Sequence, residues 1–338
     1  MRVLYKKIDT PFEYPFTISG GRTKSSQPAM IVGLNLGNFI GWGEAPAITY
    51  YNVTVESMIE ELECKKDVIE KFALIDPERF WHFLHHLFPD NPFLVCALDI
   101  AGWDLFGKLD KQPIYKIWDL EWKNTPLTDY TIGIDTPEKM LEKLKQHPWP
   151  IYKIKLGTED DIAILKEIRN VTSSPIRIDA NAGWTLEKAL NILPELEKLD
   201  VELIEQPLAK DNWADMKILK EKSNIPLIAD ESCVSEHDVL KCAPFFHGIN
   251  IKLTKCSGMT PAKRMVQEAR SLSLKVMMGS MNETNIGSAA IAQFLPILDY
   301  VDMDGPILLK EDDMEGLNIE NGIISLSGGY GLGIRKKK

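Results

Sequence analysis

The second half of the chain repeats one unit, in which a short apolar segment is followed by a polar turn and an amphipathic helical segment. Helical segments such as TLEKALNILPELEKL and TPAKRMVQEARSLSL carry apolar residues at helical spacing, and several open with Thr, Ser or Asp, which cap helices. Eight apolar segments alternate with seven helical ones; the apolar segments are DYTIGI, YKIKLG, IRIDANAG, VELIEQPL, PLIADES, GINIKLTK, LKVMMGS and DYVDMDGP. Strands that alternate with helices form parallel sheets, so the pattern predicts an α/β fold built on a (β/α)7β barrel of the TIM-like type.

A doubly wound open sheet is the main alternative for such a pattern. That fold is expected to carry a glycine-rich phosphate turn after its first strand, and DYTIGIDTPEK contains no GxGxxG motif. Before about residue 125 the pattern differs: AMIVGLNLGNFIGWGE is typical of antiparallel strands, and helical segments follow from Val55 to about Leu120. Breaks at Pro77 and at the PDNP turn divide that helical region. The change of pattern predicts a boundary near residue 125.

Composition narrows the classes of partner and the compartment. The net charge is −10, and the sequence has no basic run apart from the terminal RKKK. Both features argue against nucleic acid and anionic membrane as partners. No segment has the length and apolar character of a signal peptide or a membrane span. The five cysteines are scattered without a CxxC motif, so we expect reduced thiols and no zinc site. These features favour a cytoplasmic protein.

Five charged residues recur at the period of the repeat. Counting from Lys155, the next four follow at intervals of 24, 26, 25 and 22 residues; they are Asp179, Glu205, Asp230 and Lys252. Each falls at or near the C-terminal end of a predicted strand. In barrels of this type the C-terminal ends meet at one mouth, where active sites are built. Surface charges without a common function have no reason to keep this spacing, so we expect the five side chains to converge.

The residue types suggest metal-assisted proton chemistry. Asp179, Glu205 and Asp230 offer only oxygen donors, which suit a hard cation and Mg²⁺ in particular. Lys155 and Lys252 flank the acids on neighbouring strands, an arrangement suited to moving a proton at a carbon next to a carboxylate while a metal takes up the developing charge. Lys153 precedes Lys155 by two residues on the same face, and its charge would favour the neutral, proton-accepting form of Lys155.

A pair of acids, Asp302 and Asp304, ends the last predicted strand. Because side chains alternate along a strand, both carboxylates are expected to point the same way and to repel each other. A solvated strand end, a metal site and a pocket for a cationic group all remain open from these residues alone.

The motifs YKIKLG, RIDANAGW, IEQP, ADES and NIKLTKCSG, in this order and spacing, resemble the muconate-cycloisomerase-like, two-lysine subgroup of the enolase superfamily. The resemblance implies an N-terminal α+β capping domain over residues 1–124, closed by residues 312–338, and a catalytic barrel over residues 125–311. It also implies one Mg²⁺ per subunit. The roles implied are metal ligands Asp179, Glu205 and Asp230, an acid/base pair Lys155 and Lys252, and supporting residues Lys153 and Asn181 around the substrate carboxylate and the metal, with Lys153 binding the substrate. Glu231 is expected to point away from the site, because it follows the ligand Asp230 along the chain.

Within that subgroup, an Asp-x-Asp followed by Gly-Pro on the eighth strand resembles the dipeptide epimerases, where the two acids hold the α-ammonium of the substrate. The resemblance implies epimerisation of the C-terminal residue of a dipeptide through a Mg-stabilised enolate, with L-Ala-D/L-Glu from murein peptide turnover as the expected substrate. Arg22 is a candidate partner for an acidic side chain, since the FTISGGRTKSS and PAITYYNVT loops are expected to cover the mouth.

Other readings remain open at this stage, and a homo-oligomer is possible. The same machinery serves N-acylamino acid racemases, o-succinylbenzoate synthases and cycloisomerases. From other classes, a barrel lysine could form a Schiff base in a metal-free lyase, or the fold could bind a dipeptide without catalysis.

Overall fold

The N-terminal region combines a small sheet with four helices. The computed structural model describes residues 1–18 and 22–337, and of residues 16–18 and 22 it describes the backbone alone. An antiparallel sheet of order β1-β2-β3 is formed by β1 (Arg2–Ile18), β2 (Arg22–Leu36) and β3 (Phe39–Pro46). The helices that follow are α1 (Val55–Glu70), α2 (Pro77–Leu87), α3 (Pro92–Asp110) and the short α4 (Ile114–Ile117).

Local capping residues explain where these helices begin. Thr54 and Asn91 each accept a hydrogen bond from a backbone N–H three residues further along, and Asp76 accepts one from Glu78 N at 2.9 Å. Pro77 and Pro92 occupy the first turn of α2 and α3, where a missing N–H costs nothing and the fixed φ suits a helix. The prolines that break the helical pattern in the sequence therefore mark helix starts.

Most of the remaining chain forms the barrel, which confirms the predicted fold class. In the described part of the chain, eight parallel strands pair in consecutive order: β4 (Tyr130–Ile132), β5 (Tyr152–Lys155), β6 (Ile176–Asp179), β7 (Val201–Glu205), β8 (Leu227–Ala229), β9 (Gly248–Ile251), β10 (Lys275–Gly279) and β11 (Tyr300–Asp302). A parallel bridge between Thr128 and Val301 joins the first strand region to the last. The connecting helices are α5 (Pro137–Gln146), α6 (Asp161–Val171), α7 (Leu186–Lys198), α8 (Trp213–Lys222), α9 (Glu236–Cys242), α10 (Met259–Ser271) and α11 (Asn285–Ala292), and α12 (Gly305–Leu308) follows β11.

Buried acids of the N-terminal region fix it against the barrel. Asp99 on α3 accepts hydrogen bonds from Thr260 N at 2.9 Å and Thr260 Oγ1 at 2.7 Å, at the start of α10. Glu44 on β3 does the same for α11, accepting from Thr284 N at 3.0 Å and Gly287 N at 3.0 Å. Acids at helix N-termini satisfy backbone donors that have no partner within the helix.

Close backbone packing holds the N-terminal sheet against α3. At Gly43 an added Cβ would lie 1.9 Å from Ala97 O, so β3 can approach α3 this closely only with glycine.

The C-terminal segment contacts both parts of the molecule. It contains β12 (Met314–Glu315), β13 (Leu317–Glu320), β14 (Ile323–Leu326) and β15 (Arg335–Lys336), paired as β12 with β15 and β13 with β14. Thr128 N donates to Gly322 O at 2.9 Å, and Leu332 N donates to Asp104 Oδ1 on α3 at 2.8 Å. The domain bounds at residues 124 and 311 stay a prediction. Among the described residues, no helix has the length and apolar character needed to span a membrane.

Candidate active site

A cavity of about 290 Å³ opens at the C-terminal ends of the barrel strands. Its size is close to the lower end of the range for small-molecule pockets. The barrel contributes Thr131, Lys153, Lys155, Asn181, Asp230, Glu231, Lys252, Ser280, Met281, Asn282, Asp302 and Asp304, and the N-terminal region contributes Lys24, Ile48, Tyr50 and Tyr51. The side chain of Arg22 lies outside the described residues, so its predicted role stays a prediction.

The five periodic residues lie where the strands end. Lys155, Asp179 and Glu205 are the last residues of β5, β6 and β7, while Asp230 and Lys252 directly follow β8 and β9. Parallel pairing sets Lys155 beside Asp179 and Asp179 beside Glu205. Because β5 and β9 are four strands apart in a sheet of eight, the two lysines approach the mouth from opposite sides.

Each flanking lysine is paired with one acid. Lys155 Nζ lies 2.8 Å from Asp179 Oδ2, and Lys252 Nζ lies 2.7 Å from Asp230 Oδ2. Burial favours the neutral form of both acids, but the neighbouring ammonium groups prevail and hold the pKa of Asp179 and of Asp230 below the usual range. Burial likewise opposes the charge on Lys252, but Asp230 and Glu205 raise the pKa of its amine. In this arrangement Lys252 carries a proton.

Glu205 differs from the other two predicted ligands. Its Oε1 accepts a hydrogen bond from Asn250 Nδ2 at 2.7 Å. Its Oε2 is buried and has no hydrogen-bond partner among the described residues, although Lys153 Nζ lies 2.8 Å away. Burial, opposed by Lys153 and reinforced by Asp179 and Asp230, raises the pKa of Glu205 to about 7. A buried carboxylate in a set of oxygen ligands, whose charge Lys153 does not fully balance, fits a bound Mg²⁺.

Lys153 joins the predicted metal ligands to the acid pair. Its side chain is buried, and its Nζ lies 2.6 Å from Asp302 Oδ2, 2.8 Å from Glu205 Oε2 and 3.2 Å from Asp179 Oδ2. Burial opposes the charge, but the carboxylates outweigh it and raise the pKa of Lys153 well above the usual value. Lys153 thus neutralises acids from both parts of the site.

Asp302 and Asp304 are buried and line the same cavity, with residue exposures of 5% and 2%, which removes the solvated strand end as an explanation. They form a cluster with Asp129, in which one carboxylate oxygen of each residue lies within 4.8 Å of the others. Arg177 Nη1 lies 2.8 Å from Asp129 Oδ2, and Thr131 N donates to Asp304 Oδ2 at 2.7 Å.

The two acids of the pair differ in charge state. Burial and the charge of Asp302 raise the pKa of Asp304 to about 7, with the hydrogen bonds from Thr131 opposing. Burial also acts on Asp302, but Lys153 prevails and keeps its pKa below the usual value.

Asn181 and Glu231 show what the turns after the strands contribute. Asn181 has a left-handed backbone with φ of 42°, and its N–H donates to Asp179 Oδ1 at 3.0 Å. Glu231 lines the cavity, so the expectation that it points away from the site was wrong. β8 ends at Ala229, and strand alternation therefore does not extend to Asp230 and Glu231. Burial and the charge of Asp230 raise the pKa of Glu231 to about 8.

Sequence reasoning did not single out three further groups of the site. Asp129 is the first residue of the segment DYTIGI, and its position just before a barrel strand is the sequence feature that could have indicated a place in the site. Tyr51 lies in the PAITYYNVT loop, where it packs against Phe93 with ring centroids 5.6 Å apart. Ser280, Met281 and Asn282 follow β10 and line the cavity. The regular spacing of charged residues could not predict these three, because none of them is charged.

Comparisons with known proteins place the chain in a family. Residues 135–337 match the family model described as enolase C-terminal domain-like. An L-Ala-D/L-amino acid epimerase of Flavobacterium johnsoniae is 45% identical over 334 residues, which cover 99% of this chain and 99% of that relative.

Two solved structures are similar over almost the whole chain. A substrate-liganded L-Ala-D/L-Glu epimerase from Bacillus subtilis has a TM-score of 0.93 at 30% identity and covers 99% of this chain and 98% of its own. A dipeptide epimerase from Cytophaga hutchinsonii, complexed with Mg and D-Ala-L-Val, has a TM-score of 0.94 at 26% identity and covers 99% of this chain and 95% of its own. The chain therefore belongs to the dipeptide epimerases of the enolase superfamily.

Proposed function

We propose that this protein is a metal-dependent isomerase that inverts the α-carbon of the C-terminal residue of a dipeptide. The observation that carries the proposal is the position of Lys155 and Lys252 on opposite sides of a cavity that is lined by buried carboxylates. The family relationship favours this reaction over the racemase, synthase and cycloisomerase alternatives. It also favours catalysis over a Schiff-base lyase and over a protein that only binds dipeptides.

Asp179, Glu205 and Asp230 would hold the Mg²⁺, one per subunit. When bound, the metal supplies positive charge close to the substrate carboxylate, which stabilises the negative charge that builds up as the α-proton leaves. Asn250 orients Glu205 from behind through its 2.7 Å hydrogen bond, and the backbone N–H of Asn181 orients Asp179. These contacts fix the orientation of the Glu205 and Asp179 carboxylates.

Lys155 and Lys252 would move the proton. One amine takes the proton from the α-carbon on one face, and the other ammonium returns a proton to the opposite face, which inverts the configuration. The roles exchange when the other stereoisomer is bound. The ion pairs with Asp179 and Asp230 hold each Nζ at its own side of the cavity, so that neither lysine serves both faces.

Asp302 and Asp304 would bind the α-ammonium of the substrate. Two buried carboxylates facing one cation give strong, charge-assisted hydrogen bonds, and they repel a substrate that carries an anionic or acylated group in that place. Asp129 and Lys153 lie in the same network and keep the pair in position. A metal at this cluster is less favourable, because Arg177 and Lys153 already neutralise Asp129 and Asp302.

The outer wall of the cavity would select the side chain of the substrate. Lys24 lines it together with Ile48, Tyr50 and Tyr51, so a substrate side chain can meet both a cation and apolar surface there. We propose L-Ala-D/L-Glu, a product of murein peptide turnover, as a substrate, with Lys24 and Arg22 as candidate partners of the glutamate carboxylate. A cytoplasmic location, the absence of nucleic-acid and membrane partners, and a possible homo-oligomer complete the proposal.

Exchange of the α-proton in D₂O tests the function directly. Purified protein with Mg²⁺ is incubated with L-Ala-L-Glu and a small dipeptide library, and deuterium at the α-carbon of the C-terminal residue is measured by mass spectrometry. We expect exchange and epimerisation of free dipeptides, loss of both on chelation, and recovery with Mg²⁺. Activity that survives exhaustive chelation, or exchange confined to N-acyl amino acids, would contradict the proposal.

A further inference from the structure

Lys255 is a buried lysine behind the predicted metal site. It lies in the turn between β9 and α10, three residues after Lys252, and its side chain is 1% exposed. Among the described residues it is not part of the cavity wall. A lysine this deep is unusual, because an ammonium group is stable away from water only where charged and polar partners surround it.

Lys255 has partners on the turn after β8 and on β9. Its Nζ lies 2.5 Å from Asp230 Oδ1 and also donates to Asp230 O at 2.6 Å. Two more backbone oxygens accept from it, Cys233 O at 3.0 Å and Asn250 O at 3.2 Å. Lys255 therefore binds the side chain of Asp230 and the backbone of the turn that begins there, and through Asn250 O it connects that turn to β9.

The two oxygens of Asp230 are divided between two lysines. Oδ1 is bound by Lys255 on the buried side, and Oδ2 is bound by Lys252 on the cavity side. A carboxylate held at both oxygens cannot rotate about its Cβ–Cγ bond without breaking an ion pair. The orientation of Oδ2, and with it the position of Lys252 Nζ, thus depends on the contact that Lys255 makes on the far side.

We propose that Lys255 is a positioning residue for the reaction: it sets the orientation of Asp230 towards the metal and, through Asp230, the position of Lys252. This inference rests on the proposed function for the roles of Asp230 and Lys252. Its two consequences are separable, since one concerns metal binding without substrate and the other concerns a single face of the substrate.

Lys255→Met removes the ammonium and keeps a side chain of similar length. We expect its affinity for Mn²⁺, measured by direct titration without substrate, to fall about 10- to 100-fold, as is typical when a residue that orients a metal ligand is lost. At saturating metal, α-proton exchange should fall mainly for the stereoisomer whose exchange depends on Lys252, identified with Lys252→Ala. Exchange of the other isomer, served by Lys155, should change much less.

Lys108→Met is the matched control. Lys108 is also largely buried, pairs with Asp104 Oδ2 at 2.6 Å and donates to Ile40 O at 2.8 Å, but it lies in the N-terminal region away from the cavity. It should lose stability without any change in Mn²⁺ affinity. If Lys255→Met does not fold, Lys255→Gln keeps a hydrogen-bond donor without the charge and should show the same loss of metal affinity.

The outcomes separate this inference from the proposed function. Mn²⁺ affinity within twofold of the parent protein, in whichever of the two Lys255 variants folds, would overturn the positioning role. So would an equal loss of exchange for both stereoisomers at saturating metal. Failure of the parent protein to exchange any dipeptide would instead refute the proposed function, while the metal titration would still decide the contact between Lys255 and Asp230.

Discussion

The acid pair at the end of β11 gives the sharpest test of substrate recognition. Asp302→Asn keeps the size of the side chain and removes one negative charge from the pocket. Asp302 is 5% exposed, so a substrate ammonium bound there is largely desolvated. A hydrogen bond to a charged group contributes about 1.5 to 3 kcal/mol under such conditions, and we expect kcat/KM for a free dipeptide to fall by a factor of about 10 to 150.

The substitution also removes the ion pair of Asp302 with Lys153, whose Nζ lies 2.6 Å away. The assay must therefore compare two substrates in each protein: a free dipeptide and its N-acetyl derivative, which has no ammonium. The parent protein should strongly prefer the free dipeptide, and in Asp302→Asn that preference should shrink by the same factor of about 10 to 150. The loss of the Lys153 contact affects both substrates alike, so it cancels from the ratio.

Asp313→Asn is the control for the loss of an ion pair outside the cavity, since Asp313 pairs with Lys6 at 2.7 Å with a side-chain exposure of 66%. It should leave the substrate preference unchanged. If the parent protein turned over both substrates equally, or if Asp302→Asn kept the full preference for the free amine, the pair would not bind the substrate ammonium.

Three further predictions concern the metal, the lysines and pH. Glu205→Gln should weaken Mg²⁺ binding at least tenfold in calorimetric titration, because it removes a charged ligand; unchanged affinity would exclude Glu205 from the metal site. Lys155→Ala and Lys252→Ala should each abolish epimerisation while one stereoisomer still exchanges its α-proton in D₂O; full epimerisation by either variant would exclude a two-base mechanism. Burial raises the pKa of Glu44 from 4.5 to about 7. Between these two pH values the unfolded chain therefore binds fewer protons at Glu44 than the folded chain does. As pH rises through this range, Glu44 lowers the free energy of unfolding by up to about 3 kcal/mol. Glu44→Gln should flatten that part of the profile of unfolding midpoint against pH, and an unchanged slope would show that Glu44 does not titrate there.

The sequence predicts the barrel because the apolar segments are short and regularly spaced and the helices between them are amphipathic. The same regularity locates Lys155, Asp179 and Glu205, since each is the last residue of a strand and its position follows from the strand alone. The pattern stops at the strand ends. Asp230 and Glu231 lie beyond β8, where turn geometry replaces alternation, and the prediction for Glu231 failed at that point.

Contacts between side chains on different strands of the barrel could not be predicted from the sequence. Arg177 on β6 binds Asp129 before β4 and also donates to Val301 O on β11 at 2.9 Å, a set of partners that exists only when the sheet is closed. Lys153 was expected near the substrate carboxylate, and nothing in the spacing indicated its contacts with Asp302 and Glu205. Choices of partner among several buried charges depend on distances of a few tenths of an ångström, which periodicity does not encode.

The charge states of the buried acids support the binding of two cations that the protein does not supply, a metal ion and a substrate ammonium. Asp179, Asp230 and Asp302 each have a lysine Nζ within 2.8 Å, and lysine charges hold their pKa values low. Glu205 and Asp304 have pKa values raised to about 7, because burial and neighbouring carboxylates outweigh the cations that the protein provides. One of these acids lies among the predicted metal ligands and the other in the predicted ammonium pocket. Ionisation of both becomes favourable when a metal ion and a substrate ammonium bind beside them. In each group the lysines of the protein therefore leave the charge of one acid incompletely balanced, and in the metal group that acid is Glu205, even though Lys153 Nζ lies 2.8 Å from its Oε2.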